Sequence, residues 1–272
     1  MKHDRCKQTI WSAVKYYAMH SATAYIDMEF GHICGTYQAQ VIPVEVGVAI
    51  HIPGTDELRF AGKKISYDID VELWKHVTDD LGRTVDRSVT IANLGRKEYT
   101  KPYSGKIRLD KKGRDRAYEI SRAAHADLRE FMRSLNKFNI DTLVFFADGM
   151  EKKAFRAARV NTDGFVVRDL QKEIQKAFSM KEAMALDRLS IAIGFEIRRG
   201  FVLSENFKYE IPDQFQYLIK PHKAIGDAAR IFMLSQEFYK FPEKFRHLVD
   251  QHLAKCAAMS RNTPEVTAET GE

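Results

Sequence analysis

Cysteines and long apolar runs are both scarce in this chain of 272 residues. Its three cysteines, Cys6, Cys34 and Cys256, lie far apart and form no C-x-x-C pair, which argues against a disulfide framework and against a thiolate zinc site. No uncharged apolar run approaches the roughly 18 residues that a membrane-spanning helix needs, and the first residues lack the apolar core of a secretory signal. The sequence therefore predicts a soluble, cytoplasmic protein that does not associate with a membrane.

The positive charge of the chain is concentrated in one segment. Of 43 Lys and Arg and 37 Asp and Glu, residues 96–116 contain nine basic and three acidic ones, which leaves 34 of each sign elsewhere. Tyr99 and Tyr103 lie among these basic residues, so the segment is able to follow a phosphate backbone and to stack on bases. The alternative is a solvated loop whose lysines do nothing specific.

Hydrophobic periodicity predicts an α/β fold with a mixed sheet. Residues 22–30, 44–52 and 57–61 alternate like strands and are separated by turn signals, which is typical of an antiparallel meander. Residues 141–147 and 164–170 are short apolar runs with a helical stretch between them, which indicates a βαβ unit and parallel strands. Such a sheet needs helices on its faces.

Helical spacing predicts the elements that cover this sheet. The pattern favours helices over residues 116–137, 150–160, 170–177 and 181–193, an irregular polar segment over 198–220, and a last helix after Pro221.

Three parts follow from this pattern. A short helix over residues 5–20 predicts an N-terminal helical extension at 1–21. The main domain covers 22–240 with a basic insertion at about 70–116, and residues 241–272 form a C-terminal helix and a disordered tail.

Two acidic side chains of the first predicted strand point in the same direction. Asp27 and Glu29 are two residues apart, so the pleat places both carboxylates on one face, with Ile26, Met28 and Phe30 on the other. Two carboxylates on one rigid strand can bridge a pair of divalent cations. The pair alone has little weight, because about one D-x-E is expected by chance in a chain of this length.

A second motif lies where the last helix begins. His222, Ala224 and Asp227 form H-x-A-x-x-D, with the histidine in the loop and the aspartate in the first turns of the helix. A loop histidine can swing over a metal site while a helical carboxylate anchors a cation below it. The alternative is a surface histidine and an aspartate favoured by the helix dipole.

Taken in order, the motifs resemble those of the DEDDh group of 3′-to-5′ exonucleases, whose fold is similar to ribonuclease H. The resemblance covers residues 22–235 and rests on Asp27-Met28-Glu29, the strand segment 45–49 (EVGVA), the segment 144–155 (VFFADGMEKKAF), and His222 to Asp227. It implies a ribonuclease H-like sheet of five strands, three antiparallel and then parallel, flanked by helices.

The resemblance also implies an activity. Asp27, Glu29 and Asp227 match positions that bind two Mg²⁺ or Mn²⁺ ions, and His222 matches the general base that deprotonates the attacking water. The implied reaction removes nucleoside 5′-monophosphates from the 3′ ends of single-stranded nucleic acid, with RNA favoured over DNA. The rival hypothesis is a catalytically silent nucleic-acid or protein binding module with the same fold.

The third acidic position departs from the family pattern. An ungapped alignment places Glu151 there, whereas the nearest aspartate is Asp148, three residues earlier at the end of the strand. Asp148 and Glu151 also fit a capping box, in which Asp148 merely caps the helix. Both residues remain candidates for this metal ligand.

The remaining site predictions concern the substrate. By the same resemblance, Met28 and Phe30 wedge against the terminal base, although core packing is the preferred alternative for Met28. The basic segment is expected to hold the incoming strand, through Lys97, Lys101, Lys106 and Arg108 among others.

Overall fold

The structure, a computed structural model, describes residues 21–33, 40–52, 54–55, 57–65, 77–78, 83–85, 99–102, 110–220 and 223–261. Several predictions lie outside these residues: the helix over 5–20, the tail beyond 261, and the site residues His222, Lys97, Lys106 and Arg108. Of Lys101 only the backbone is described.

Three long strands form the predicted antiparallel meander. They are β1 (Ala22–Ile33), β2 (Gln40–His51) and β3 (Leu58–Lys64), and β2 pairs with both of the others. In this register Asp27 lies opposite Gly47 and Glu29 lies opposite Glu45. The Asp27-Met28-Glu29 motif and the strand segment 45–49 are therefore neighbours across one strand pair.

Three short strands extend the sheet from the far end of β1. They are β4 (Val77–Thr78), β5 (Arg83–Val85) and β6 (Tyr99–Pro102), and β4 pairs with β1. The basic insertion is therefore not wholly irregular.

The parallel part of the sheet confirms the predicted βαβ unit. Strand β7 (Ile140–Phe145) pairs with β1, and β8 (Val166–Asp169) pairs with β7. The order β3-β2-β1-β7-β8 is the mixed five-stranded sheet that was expected, and it is consistent with a ribonuclease H-like fold.

Helices cover both faces of this sheet. Helices α1 (Lys111–Ser134) and α2 (Gly149–Ala158) share one core with Ala24, Ile26 and Met28 of β1. On the other face, helices α3 (Leu170–Ala177) and α5 (Ala224–Lys240) share a second core with Tyr25 and Val144. Between Ala22 and Met28, even-numbered and odd-numbered residues of β1 thus face different helices, as the pleat requires.

The boundaries of α1 were predicted too late in the chain. Asp110 is the N-cap, and its carboxylate accepts a hydrogen bond from the backbone N–H of Gly113 at 2.7 Å. This cap starts the helix five residues before position 116. Lys111, Lys112 and Arg114 of the basic segment are consequently helical.

The segment after α3 was also predicted incorrectly. Helix α4 (Leu186–Ala192) is shorter than residues 181–193, and the supposedly irregular region contains strands β9 (Glu196–Arg198), β10 (Phe201–Leu203) and β11 (Lys208–Glu210). These strands form a separate antiparallel sheet. They contain three residues each, which is too short for a period of two to be recognised.

Helix α5 is followed directly by α6 (Pro242–Arg261), which begins the predicted C-terminal part. In the described part of the chain, no helix combines the length and the apolar character that crossing a membrane would require.

Candidate metal centre

Three carboxylates that are distant in the sequence meet at one point of the fold. One carboxylate oxygen each from Asp27, Glu29 and Asp227 lies within 4.8 Å of the other two. The first two stand on the same face of β1, and Asp227 lies in the first turn of α5, which packs on that face. The convergence predicted from the motifs is therefore present in the structure.

Glycines of β2 and α5 permit this close approach. A Cβ atom on Gly47 would lie 2.1 Å from the backbone C of Ala224 and from the backbone N of Ile225. A Cβ atom on Gly226 would lie 2.0 Å from the carbonyl oxygen of Lys220. Both distances are shorter than real Cβ contacts. The start of α5 can therefore reach β2 only because Gly47 has no side chain, and Lys220 can pass beside the helix only because Gly226 has none.

Glu45 holds the same end of α5 by charge. Its buried carboxylate accepts a hydrogen bond from the backbone N–H of Ala224, the first residue of the helix, and lies 4.0 Å from the Nζ atom of Lys223. Burial raises the pKa of Glu45 to about 7, against the lowering influence of Lys223 and Lys64. A negative group at this place is favourable because it faces the positive end of the helix dipole.

The acidic cluster of Asp27, Glu29 and Asp227 concentrates negative charge at one place. The pKa of Asp27 lies well above its usual range, because the carboxyl group is desolvated and because Asp227, Glu29, Glu151 and Glu45 all repel its negative charge. Repulsion of this kind is relieved by a cation. Mg²⁺ and Mn²⁺ prefer hard oxygen ligands, so the donor set fits these ions, and Asp27, Glu29 and Asp227 are the residues that would hold them.

Glu151, rather than Asp148, belongs electrostatically to this cluster. Glu151 is buried in the first turn of α2 and raises the pKa of Asp27. The carboxylate of Asp148 instead forms ion pairs with Lys152 and with Lys172, the latter at 3.0 Å. The charge of Glu151 therefore acts on Asp27, whereas the carboxylate of Asp148 is held by two lysines.

The alternative in which Asp148 only caps the helix is not borne out. Asp148 occupies the N-cap position of α2, but its side chain makes no capping hydrogen bond.

Asp169, which the motifs did not indicate, fixes the turn that precedes α2. Its two carboxylate oxygens accept hydrogen bonds from the backbone N–H groups of Ala147 and Asp148, at 3.2 and 3.3 Å. It also pairs with Lys172 at 2.7 Å. Ala147 has a φ of +62°, a left-handed conformation that is unfavourable for alanine. This network sets the position of α2 and hence of Glu151.

Arg230 is a second residue that sequence reasoning missed. Its side chain is 11% exposed, and its Nη1 atom lies 3.3 Å from the Oδ1 atom of Asp227. The same nitrogen also pairs with Asp187 of α4. The i, i+3 spacing of Asp227 and Arg230 was the signal from which this pair could have been recognised.

The predicted substrate residues have different surroundings. Met28 is 5% exposed and packs in the core on the face opposite the carboxylates, which agrees with the alternative of core packing. Phe30 is half-buried against the same core.

Comparisons with known proteins add no family to this picture. No protein-family model matches the chain, and no match was found among curated proteins.

Proposed function

We propose that this protein is a metal-dependent 3′-to-5′ exonuclease that trims single-stranded nucleic acid, RNA ahead of DNA, and releases nucleoside 5′-monophosphates. The observation that carries the proposal is the convergence of Asp27, Glu29 and Asp227 within 4.8 Å, with Glu151 acting on the same charge cluster. Acidic groups that repel one another cost stability, and such a cost is typical of a functional site.

In this proposal the carboxylates of Asp27, Glu29 and Asp227 are the metal ligands. Two divalent cations held by them would supply Lewis acidity, making a water more acidic and stabilising the charge on the leaving 3′ oxygen. Asp27 and Glu29 are rigid because they stand on the central strand of the sheet, whereas Asp227 depends on the seating of α5.

His222 has the role of general base in this proposal. It directly precedes Lys223, the N-cap residue of α5, in the sequence, and Asp227 lies in the first turn of that helix. An imidazole with an ordinary pKa near 6.5 can accept a proton from water at neutral pH. The basic residues Lys97, Lys101, Lys106 and Arg108 would hold the backbone of the incoming strand.

The test is degradation of a 5′-labelled single-stranded RNA with Mn²⁺. We expect products shortened one nucleotide at a time, release of nucleoside 5′-monophosphate, and loss of at least a hundredfold in rate for Asp27→Asn, because one ligand of the metal centre is removed. Asp163→Asn is the matched control, since Asp163 is exposed in the loop before β8. Undiminished activity of Asp27→Asn would contradict the proposal.

One observation favours the rival function, a silent binding module. Arg230 lies beside Asp227 and Lys223 lies beside Glu45, so internal cations already offset part of the acidic charge. A module of this kind would bind an oligonucleotide or a protein partner equally well in chelator and in Mn²⁺. A titration with Mn²⁺ that leaves the thermal unfolding temperature unchanged would favour it over the exonuclease.

A further inference from the structure

A cavity of about 190 Å³ lies on the face of the sheet opposite the carboxylates. It opens between α1, the end of α2 and strand β7. Its apolar wall includes Leu143 and Phe165, which belong to the core that contains Ile26. Asp27 points away from that core, so this cavity is separate from the candidate metal centre.

Three arginines surround the cavity. Arg129 and Arg133 are one turn apart on α1, and Arg159 comes from the residue that ends α2. Arg129 is half-buried and donates a hydrogen bond to the carbonyl oxygen of Ala158 at 3.4 Å. Among the described residues, no acidic side chain lines the cavity, and none of these arginines forms an ion pair. Three positive charges around one cavity repel each other, and an anion would relieve that repulsion.

The backbone at Arg159 is strained. This residue has a φ of +55°, at the position after a helix where glycine is the usual residue. Strained residues concentrate where ligands are held. Arg159 adopts this unfavourable backbone conformation and also lines the cavity.

We infer that this cavity binds the phosphate group of a small molecule. Guanidinium groups form paired hydrogen bonds with phosphate oxygens, and the amides of Asn136 and Asn161 add further donors at the same cavity. A volume of about 190 Å³ is below that of pockets for drug-sized ligands, roughly 300–1,000 Å³. It suits a phosphate with a small apolar group against Leu143 and Phe165. The inference does not depend on the proposed nuclease activity.

Calorimetric titration of the full chain in chelator tests this site. The probes are inorganic phosphate and phenyl phosphate, at an ionic strength kept constant with chloride. We expect Arg133→Gln and Arg159→Gly to weaken phosphate binding about tenfold or more, because each loses a charge-assisted hydrogen bond. Arg122→Gln is the control, since Arg122 is exposed on α1 and does not line the cavity; its affinity should equal that of the wild type.

The two probes distinguish the sources of the phosphate. Tighter binding of phenyl phosphate indicates an ester with an apolar group, and equal binding indicates the free anion; both agree with the inference. It is overturned if neither probe binds or if all four proteins bind equally.

Arg159→Gly separates binding from folding. Glycine adopts a φ of +55° without strain, so this variant should unfold at the same temperature as the wild type or higher. Weaker phosphate binding by a protein of undiminished stability cannot result from misfolding. If Arg159→Gly and Arg133→Gln are as stable as the wild type and bind phosphate unchanged, the cavity is not a phosphate site.

Discussion

Glu45 is a buried carboxylate that affects both the stability of the fold and the position of the candidate site. It holds the first backbone N–H of α5, and it lies opposite Glu29 in the strand pair. Its carboxyl group is shielded from water, so the charged form is disfavoured although Lys223 is near. The residue therefore positions the helix that carries Asp227 at a cost that depends on pH.

This cost gives a pH prediction. The folded pKa of about 7 lies above the unfolded value of 4.5, so the folded state binds the proton more tightly between these values. The contribution of Glu45 to the free energy of unfolding should fall as pH rises from 4.5 to 7, by up to about 3 kcal/mol. We expect Glu45→Gln to gain stability relative to the wild type over this range. Urea unfolding in chelator at pH 5 and pH 7.5 measures the difference.

Glu182→Gln serves as the control for this measurement, because Glu182 is exposed. Its stability relative to the wild type should be the same at both pH values. A difference between Glu45→Gln and the wild type that does not change with pH would show that Glu45 titrates normally.

At the scale of elements, the decisive contact is the seating of α5 on β2. The strand contributes Gly47 and Glu45, and the helix contributes its first backbone atoms at Ala224 and Ile225. Because Asp227 is only one turn further along α5, a shift of this helix moves one ligand of the site away from the other two. Packing between two elements thus decides whether the carboxylates can act together.

Gly47→Ala tests this contact. The new Cβ atom would lie 2.1 Å from backbone atoms of α5, which cannot rotate away as a side chain would, so the helix must move. We expect a loss of about 1–3 kcal/mol in urea unfolding, and a weaker thermal stabilisation by Mn²⁺. Gly164→Ala is the control: nothing lies within 4 Å of a Cβ atom there, and stability should change by about 0.5 kcal/mol or less. Equal stability of both variants would disprove the steric argument.

At the scale of the whole molecule, the sequence predicted what depends on local pattern. Alternation along β1 and the apolar run of β7 predicted strands of the sheet. The order of the motifs resembles that of a known exonuclease group, and this resemblance, rather than the spacing alone, implied that Asp27, Glu29 and Asp227 lie together. The ion pair of Asp148 could not be predicted, because its partner Lys172 lies beyond the next strand.

The same limit explains two missed features. The small sheet of β9, β10 and β11 has strands of three residues. The cavity lined by Arg129, Arg133 and Arg159 is formed by segments that are adjacent only after folding. Long-range side-chain contacts leave no period in a sequence.

For the whole molecule, the acidic cluster should lower the stability of the protein without metal and raise it when metal is bound. Asp27→Asn removes one negative charge from a partly buried group of like charges, so in chelator at pH 8 the variant should unfold at a higher temperature than the wild type. With Mn²⁺ the order should reverse, since a ligand at 100 times its Kd stabilises the folded state by about 2.7 kcal/mol and the variant lacks a ligand. Asp163→Asn should follow the wild type in both conditions. Thermal unfolding of the three proteins decides the matter: if Mn²⁺ stabilises Asp27→Asn as much as the wild type, the carboxylates do not form a metal site.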